Sequence, residues 1–437
     1  MQLHHARAGG LAAAASLLLA APAALAAQPL PVAASPEAVG FSSERLQRLD
    51  AFADRIVADG EVAGVSTLLA RHGKVVEVRT HGVADITTKA PLRRDAIFRI
   101  FSMSKPITGV AMMILFEQGK WRLDDPVSKY IPEFKDLKVL TGVDASGKPI
   151  LEPLKSPPTM RQLMSHTAGF SYGFDPTSPV DKIYQQKDVL GSHGLQEMIT
   201  KLGTTPLLYQ PGDRWVYSAS VDIQGYLVEK LSGQRFGDFL QQHIFTPLKM
   251  TDTAFLVPRE KIGRLSAVYS TDPGTGRLVD ASSRNGQPAR DYTQPPNLES
   301  GGGGLLSTID DYARFAQMLA NGGELDGVRI LAPATVELMH TTVVPRRALE
   351  APGSQFSEYV SFGLDAMVVN NPRKAGRLEG AGTFSWEGAA GTIFWVDPSN
   401  DVVFVAMLQN FTRAGPNNSI DAQARPLVYQ ALVDPAK

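Results

Sequence analysis

Two strand-rich stretches lie near opposite ends of this chain, and any fold must account for both. "VAGVSTLLARHGKVVEVRTHGVAD" is β-branched and apolar on either side of "RHGK", a turn-like interruption containing Gly73, so it reads as a strand hairpin. Near the other end "GTIFWVDPSNDVVFVAMLQN" repeats the pattern, with strands over Thr392 to Val396 and Val402 to Leu408 and a turn over Pro398 to Asn400. Between them, "ITGVAMMILFEQG", "TMRQLMSHTAG", "VDIQGYLVEKLSG" and "TIDDYARFAQMLANGG" space their apolar residues as helices do, and Thr308 with Asp311 predicts a capping box. Ahead of the first hairpin, Ser42 or Ser43 can cap a helix carrying Leu46, Leu49, Phe52 and Ile56 as far as Gly60. The expected fold class is α+β: an antiparallel sheet from the N- and C-terminal segments (about 41–110 and about 300–435) flanked by helices, with an inserted helical region over about 111–299.

The first 27 residues have a different character. His4, His5 and Arg7 precede the apolar run "LAAAASLLLAAPAALAA", which ends in Ala24, Leu25 and Ala26, an A-x-A cleavage pattern. The run is mostly alanine, is broken by Pro22 and falls short of the ~20 strongly apolar residues a membrane span needs. Residues 1–27 therefore read as a secretory signal peptide and 28–437 as the exported, periplasmic or secreted domain, with no stable membrane anchor once the signal is removed. In the 437-residue chain 43 basic residues balance 44 acidic ones without long blocks of one sign, so no nucleic-acid partner is expected. The absence of cysteine excludes disulfides, thiolate metal sites and a cysteine nucleophile.

Two serines compete as nucleophile. Ser171 stands in "GFSYG", a G-x-S-x-G match, but a nucleophile elbow needs a strand entering the turn and a helix leaving it. Here "PPTMRQLMSHTAG" predicts a helix from after Pro158 to Gly169, and "FDPTSPVD" places Pro176 and Pro179 where a helix should continue. Ser102 and Lys105 form S-x-x-K where Pro106 opens the helix of "ITGVAMMILFEQG". Residues three apart share a helix face, so the lysine can reach the serine hydroxyl. At a helix N-terminus the backbone N–H of Ser102 is also free to donate to an oxyanion. Chance alone supplies roughly one S-x-x-K in a chain of this length, so the tetrad needs company. The run "SGGGGLLST" lacks the lysine of a phosphate loop, and reads as backbone packed closely near a site.

That company exists. "SMSK" after "FRIF", then "LMSHTAGF", "QPGDRWVYSAS", "GGGGLLST" and "FSWEGAAGT" resemble, in order and spacing, the serine β-lactamase-like superfamily. The nearest resemblance is to family VIII carboxylesterases, relatives of class C β-lactamases and of penicillin-binding D-Ala-D-Ala peptidases, and it spans about Ser35 to Pro435. It implies that Ser102 is acylated, that Lys105 assists it, and that Tyr217 matches the general base of the family's Y-x-N motif. Ala219 replaces the asparagine of that motif, and Trp386, Glu387 and Gly388 replace K-T-G, whose cation helps hold a substrate carboxylate. The first departure argues against tuned β-lactam recognition, and the second favours neutral, apolar substrates over carboxylates. The backbone N–H of Ala389 corresponds to the second oxyanion donor.

The implied protein is a serine hydrolase for small or short-acyl carboxylic esters, working through an acyl-enzyme on small-molecule substrates, with no metal and no organic cofactor. A β-lactamase or D-Ala-D-Ala carboxypeptidase of the same fold is the alternative, and a non-catalytic acyl-binding protein the third reading. Whether Tyr217 or Lys105 accepts the serine proton stays open at this level, as does the oligomeric state. His166 reads as structural, bonding loop backbone.

Overall fold

The computed structural model describes residues 28–146, 148–283, 289–413 and 419–434. The signal peptide expected over 1–27 lies outside the described residues, as does part of the loop between Thr271 and Asn297. Among the described residues no helix is long and apolar enough to cross a membrane.

The two hairpins meet. Strand β1 (Gly64–Arg71) turns through His72 and Gly73, both at positive φ, into β2 (Lys74–Asp85), which is followed by the short β3 (Ala90–Pro91). An excursion forms the separate hairpin β4 (Lys138–Val143) and β5 (Pro149–Pro153). The chain then returns to the main sheet with β6 (Val360–Phe362), β7 (Met367–Val369), β8 (Thr383–Glu387), β9 (Ile393–Asp397) and β10 (Val402–Leu408). The sheet runs β6-β7-β8-β9-β10-β1-β2-β3. Its centre is the antiparallel pairing of the last strand with the first, from Val65 opposite Leu408 to Arg71 opposite Val402. This is the sheet expected from the two ends of the chain, extended by four strands, β3 and β6 to β8, that the hairpin signals had not marked.

Both faces of the central strands are covered, which explains their unbroken apolar runs. Side chains alternate along a strand. Val402, Phe404, Ala406 and Leu408 therefore pack under α1 (Ser43–Ala58) and α8 (Asp421–Ala431). Val403, Val405 and Met407 face the larger core, with α2 (Ser104–Glu117), α5 (Leu195–Gly203), α6 (Ser220–Ser232) and α7 (Ile309–Ala320). Ser42 caps α1, its side chain accepting from the Arg45 N–H, and Gly233 ends α6 in a left-handed conformation.

Three local expectations change. The helix predicted from after Pro158 to Gly169 is only α3 (Met160–Met164), because His166 takes φ +56 and breaks the ladder. A full capping box forms at its start, between Thr159 and Gln162, whereas at α7 only half of the predicted box forms. There Thr308 accepts from the Asp311 N–H, but the Asp311 carboxylate turns away to accept from the Asp252 N–H and the Thr253 hydroxyl. Finally, α2 begins at Ser104, so Ser102 lies on the 3-10 turn that leads into it.

Candidate active site

The segment before Ser102 is fixed from both sides. Phe98 and Arg99 pair with Ser307 and Leu306, and the Ile100 N–H donates to the Leu305 carbonyl. The chain then turns sharply at Phe101, whose φ of +42 puts a non-glycine residue in the left-handed region. Such a conformation costs about 1–3 kcal/mol and persists only where the surroundings over-determine it. Pro106 falls in the first turn of α2, where a missing N–H costs nothing.

Ser102, Lys105 and Tyr217 come together. The Tyr217 hydroxyl lies 2.6 Å from Ser102 Oγ, and Lys105 Nζ donates to the same oxygen at 3.2 Å. Lys105 is completely buried, and its ammonium also donates to the Gly302 carbonyl at 2.6 Å and to the Tyr172 hydroxyl at 3.2 Å. It stands 4.5 Å from the centre of the Tyr217 ring. Behind it, the Tyr172 hydroxyl donates to Asp222 Oδ2 at 3.3 Å. Asp222, on α6, also accepts from the Gly302 N–H at 3.1 Å and from the Ser300 hydroxyl.

Tyr172, Asp222 and Ser300 escaped the sequence reading, although each had a signal nearby. Tyr172 belongs to the same "GFSYG" whose serine drew attention, and Asp222 is the acid that follows "VYSAS". Ser300 opens the glycine run, which packs closely at the site as expected. A Cβ on Gly302 would approach the Tyr172 hydroxyl to 2.4 Å and Asp222 Oδ2 to 2.5 Å.

Ser171 is elsewhere engaged. It is buried, its hydroxyl donating to the Asp181 carboxylate at 2.8 Å, and no histidine is among its hydrogen-bond partners. Its carbonyl accepts from the Ala219 N–H, so the loop abuts the segment carrying Tyr217. His166 is structural as expected: Nδ1 accepts from the Ser218 N–H at 3.2 Å and meets its hydroxyl at 2.9 Å. Burial, with the Lys105 charge adding to it, pushes its pKa well below the ordinary value of a histidine.

Across the cleft, β8 ends at Glu387 and the chain passes through Gly388 and Ala389. A Cβ on Gly388 would approach the Ile100 carbonyl to 2.4 Å and Thr392 Oγ1 to 2.2 Å, so the absence of a side chain lets this strand end lie against the residues before Ser102. Neither the Ser102 nor the Ala389 N–H has a hydrogen-bond partner among the described residues, and both residues line a cavity of about 540 Å³. Phe101, Tyr172, Phe174, Trp215, Tyr217 and Trp386 are the aromatic residues of its wall, and Glu387 is the charged side chain in the lining. The Trp386 ring stands 5.6 Å from that of Tyr217 and edge-on to Phe362 at 5.2 Å. Among the described residues no group of three or more His, Asp or Glu side chains is placed to hold a metal ion.

Comparison with known proteins gives the same picture. The family model described as Beta-lactamase matches residues 49–428. Protein Rv1367c of Mycobacterium tuberculosis (strain ATCC 25618 / H37Rv) is 35% identical over 372 residues, covering 84% of this chain and 89% of the relative. Esterase EstB of Burkholderia gladioli is 28% identical over 400 residues, covering 87% and 94%. The solved structure of EstCE1, described as a hydrolase with promiscuous acyltransferase activity, superposes with a TM-score of 0.71 at 27% identity, covering 88% of this chain and 99% of that one.

Proposed function

The chain belongs to the beta-lactamase family, and from that premise we propose that it is a serine hydrolase cleaving carboxylic esters, with Ser102 as the acylated residue. The observation that carries the reading is the hydrogen-bonded set of Ser102, Tyr217 and Lys105 at the floor of an aromatic cavity. Likeness to an esterase over nearly the whole chain supports it.

The hydrogen-bond inventory supports Tyr217 as the base. The Gly302 carbonyl can only accept, and Tyr172 spends its proton on Asp222 and so presents a lone pair to Lys105. With Ser102 Oγ as the third acceptor, all three ammonium protons are engaged, and an ammonium has no lone pair to take the serine proton, which leaves Tyr217, whose hydroxyl donates to the same oxygen. Tyr217 thus takes the serine proton, acting in its deprotonated form beside Lys105. Ser102 Oγ bonds to the ester carbonyl carbon, and the oxyanion that forms accepts from the Ser102 and Ala389 N–H groups. When the carbon–oxygen bond to the alcohol breaks, Tyr217 returns the proton to the leaving alkoxide. Water then attacks the acyl-enzyme by the same relay, releasing the acid and restoring Ser102.

The lining argues for esters over carboxylate-bearing substrates, because it offers an indole where the β-lactamases and peptidases hold a cation. A fluorophosphonate probe should add its mass to the intact protein and not to Ser102→Ala. Purified protein should turn over a short p-nitrophenyl ester much faster than nitrocefin. Labelling that persists in Ser102→Ala, or a preference for nitrocefin, rejects the reading.

A further inference from the structure

A second cavity, of about 700 Å³, lies beside the first. Five residues line both: Tyr172, Phe174, Trp215, Tyr217 and Gln355. Its far wall is the β4–β5 hairpin, through Leu140, Thr141 and Val143, together with Leu208 and Tyr209. Two features of the boundary are unusual for a surface that touches only water. Phe174 is 66% exposed although its ring stacks flat on Tyr172 at 4.4 Å, and Val143 at the edge of the hairpin is 48% exposed. Large apolar groups held open on either side of a cavity favour an apolar guest. The charged side chains lining the two cavities are Glu387, Asp175 and Asp181, all acidic, which disfavours an anionic guest.

Proton delivery fixes which part of an ester reaches this cavity. Tyr217 returns a proton to the leaving oxygen, so that oxygen must sit beside its hydroxyl, and the Tyr217 ring is part of the boundary between the two cavities. The acyl group must then extend the other way, toward Leu190, Leu298 and Gly303, which line the first cavity alone. Resting on the ester-hydrolase reading above, we infer that the second cavity is the subsite for the alcohol portion of the substrate, and that the preferred substrates are neutral esters joining a short acyl group to a large apolar alcohol.

Two ester series measured on the whole protein test this: acetates of ethanol, hexanol and decanol, and ethyl esters of acids of the same chain lengths. The acetates should gain in kcat/KM with alcohol length, and the ethyl esters should not gain with acyl length. Thr141→Trp and Val143→Trp each put an indole on the exposed hairpin, at positions that line the second cavity alone. Each should lower kcat/KM on decyl acetate by about tenfold or more, the scale of a few lost apolar contacts, while turnover of ethyl acetate is unchanged. A gain along the acyl series instead, or an unaltered length profile in both variants, overturns the inference and leaves the hydrolase intact. A wild-type protein that hydrolyses no ester in either series overturns the hydrolase reading, and this inference with it.

Discussion

Ser171 and Ser102 are both hydrogen-bonded serines, and what separates them is the group on the other side. An Asp181 carboxylate can only accept from Ser171, and the pair, buried together, ties the loop to the start of α4 (Pro179–Gln186). Ser171→Ala should leave kcat on p-nitrophenyl acetate largely intact while lowering stability by about 1–3 kcal/mol in urea melts, since it strips a buried carboxylate of its hydroxyl donor. Ser102→Ala should abolish that turnover without a comparable loss of stability. Tyr172 is a positioning residue on the same logic: its hydroxyl joins Lys105 to Asp222. Tyr172→Phe should lower kcat on the order of tenfold, short of the ~10²–10⁴ that a lost acid–base group costs, and should move the pH profile of kcat, which a purely structural role would not. Ser102, Lys105 and Tyr217 were legible because each sits in a contiguous motif. The Lys105, Tyr172 and Asp222 chain was not, because its members lie 67 and 50 residues apart and only tertiary packing makes them neighbours.

Elements, more than single side chains, decide whether the two N–H groups converge on one oxygen. One belongs to the turn before α2 and the other follows β8, and their spacing is set where Gly388 touches the Ile100 carbonyl. Gly388→Ala should push the two segments apart by a fraction of an ångström to an ångström. The expected cost is in kcat, by up to about 10²-fold, since misplacement of that size is enough to spoil a transition-state contact. Near-normal turnover by that variant, measured with a short ester at saturation, would show that the strand end can yield without penalty. The same element scale shows where periodicity carried information. Strands β1, β9 and β10 were visible because burial on both faces demands continuous apolar runs, and α2, α6 and α7 because their apolar residues recur at helical spacing. Strands β6 and β7, three residues each, are too short to impose a pattern, and α3 ended early at a histidine whose left-handed backbone no propensity scale would assign.

In the molecule as a whole, the edge hairpin β6–β7 is joined to the helical side through one buried acid. Asp365, between those strands, donates its N–H to the Met164 carbonyl at the end of α3 and accepts at Oδ1 from Gln224 of α6. Its Oδ2 has no hydrogen-bond partner among the described residues and faces α2 at Gly109, where a Cβ would come within 3.0 Å. Burial raises its pKa well above the ordinary 3.8, the Gln224 amide and the Lys105 charge offsetting this only in part. The folded protein therefore keeps a proton that the unfolded chain releases above pH 3.8. Its contribution is fully present below that value and is lost as pH rises toward the folded pKa, at up to about 1.4 kcal/mol per pH unit. Asp311 and Glu77, each raised to about 7 by burial, act in the same direction. His340, buried and lowered to about 3, acts in the opposite one, because the unfolded chain binds its proton first as pH falls through the ordinary 6.5. These terms overlap in the wild-type stability profile, so the informative quantity is a difference. Asp365→Asn keeps an acceptor for Gln224 and removes the titration. Relative to wild type, its melting temperature should rise as pH increases from 4, and a gap that stays constant would mean that Asp365 is ionised in the fold.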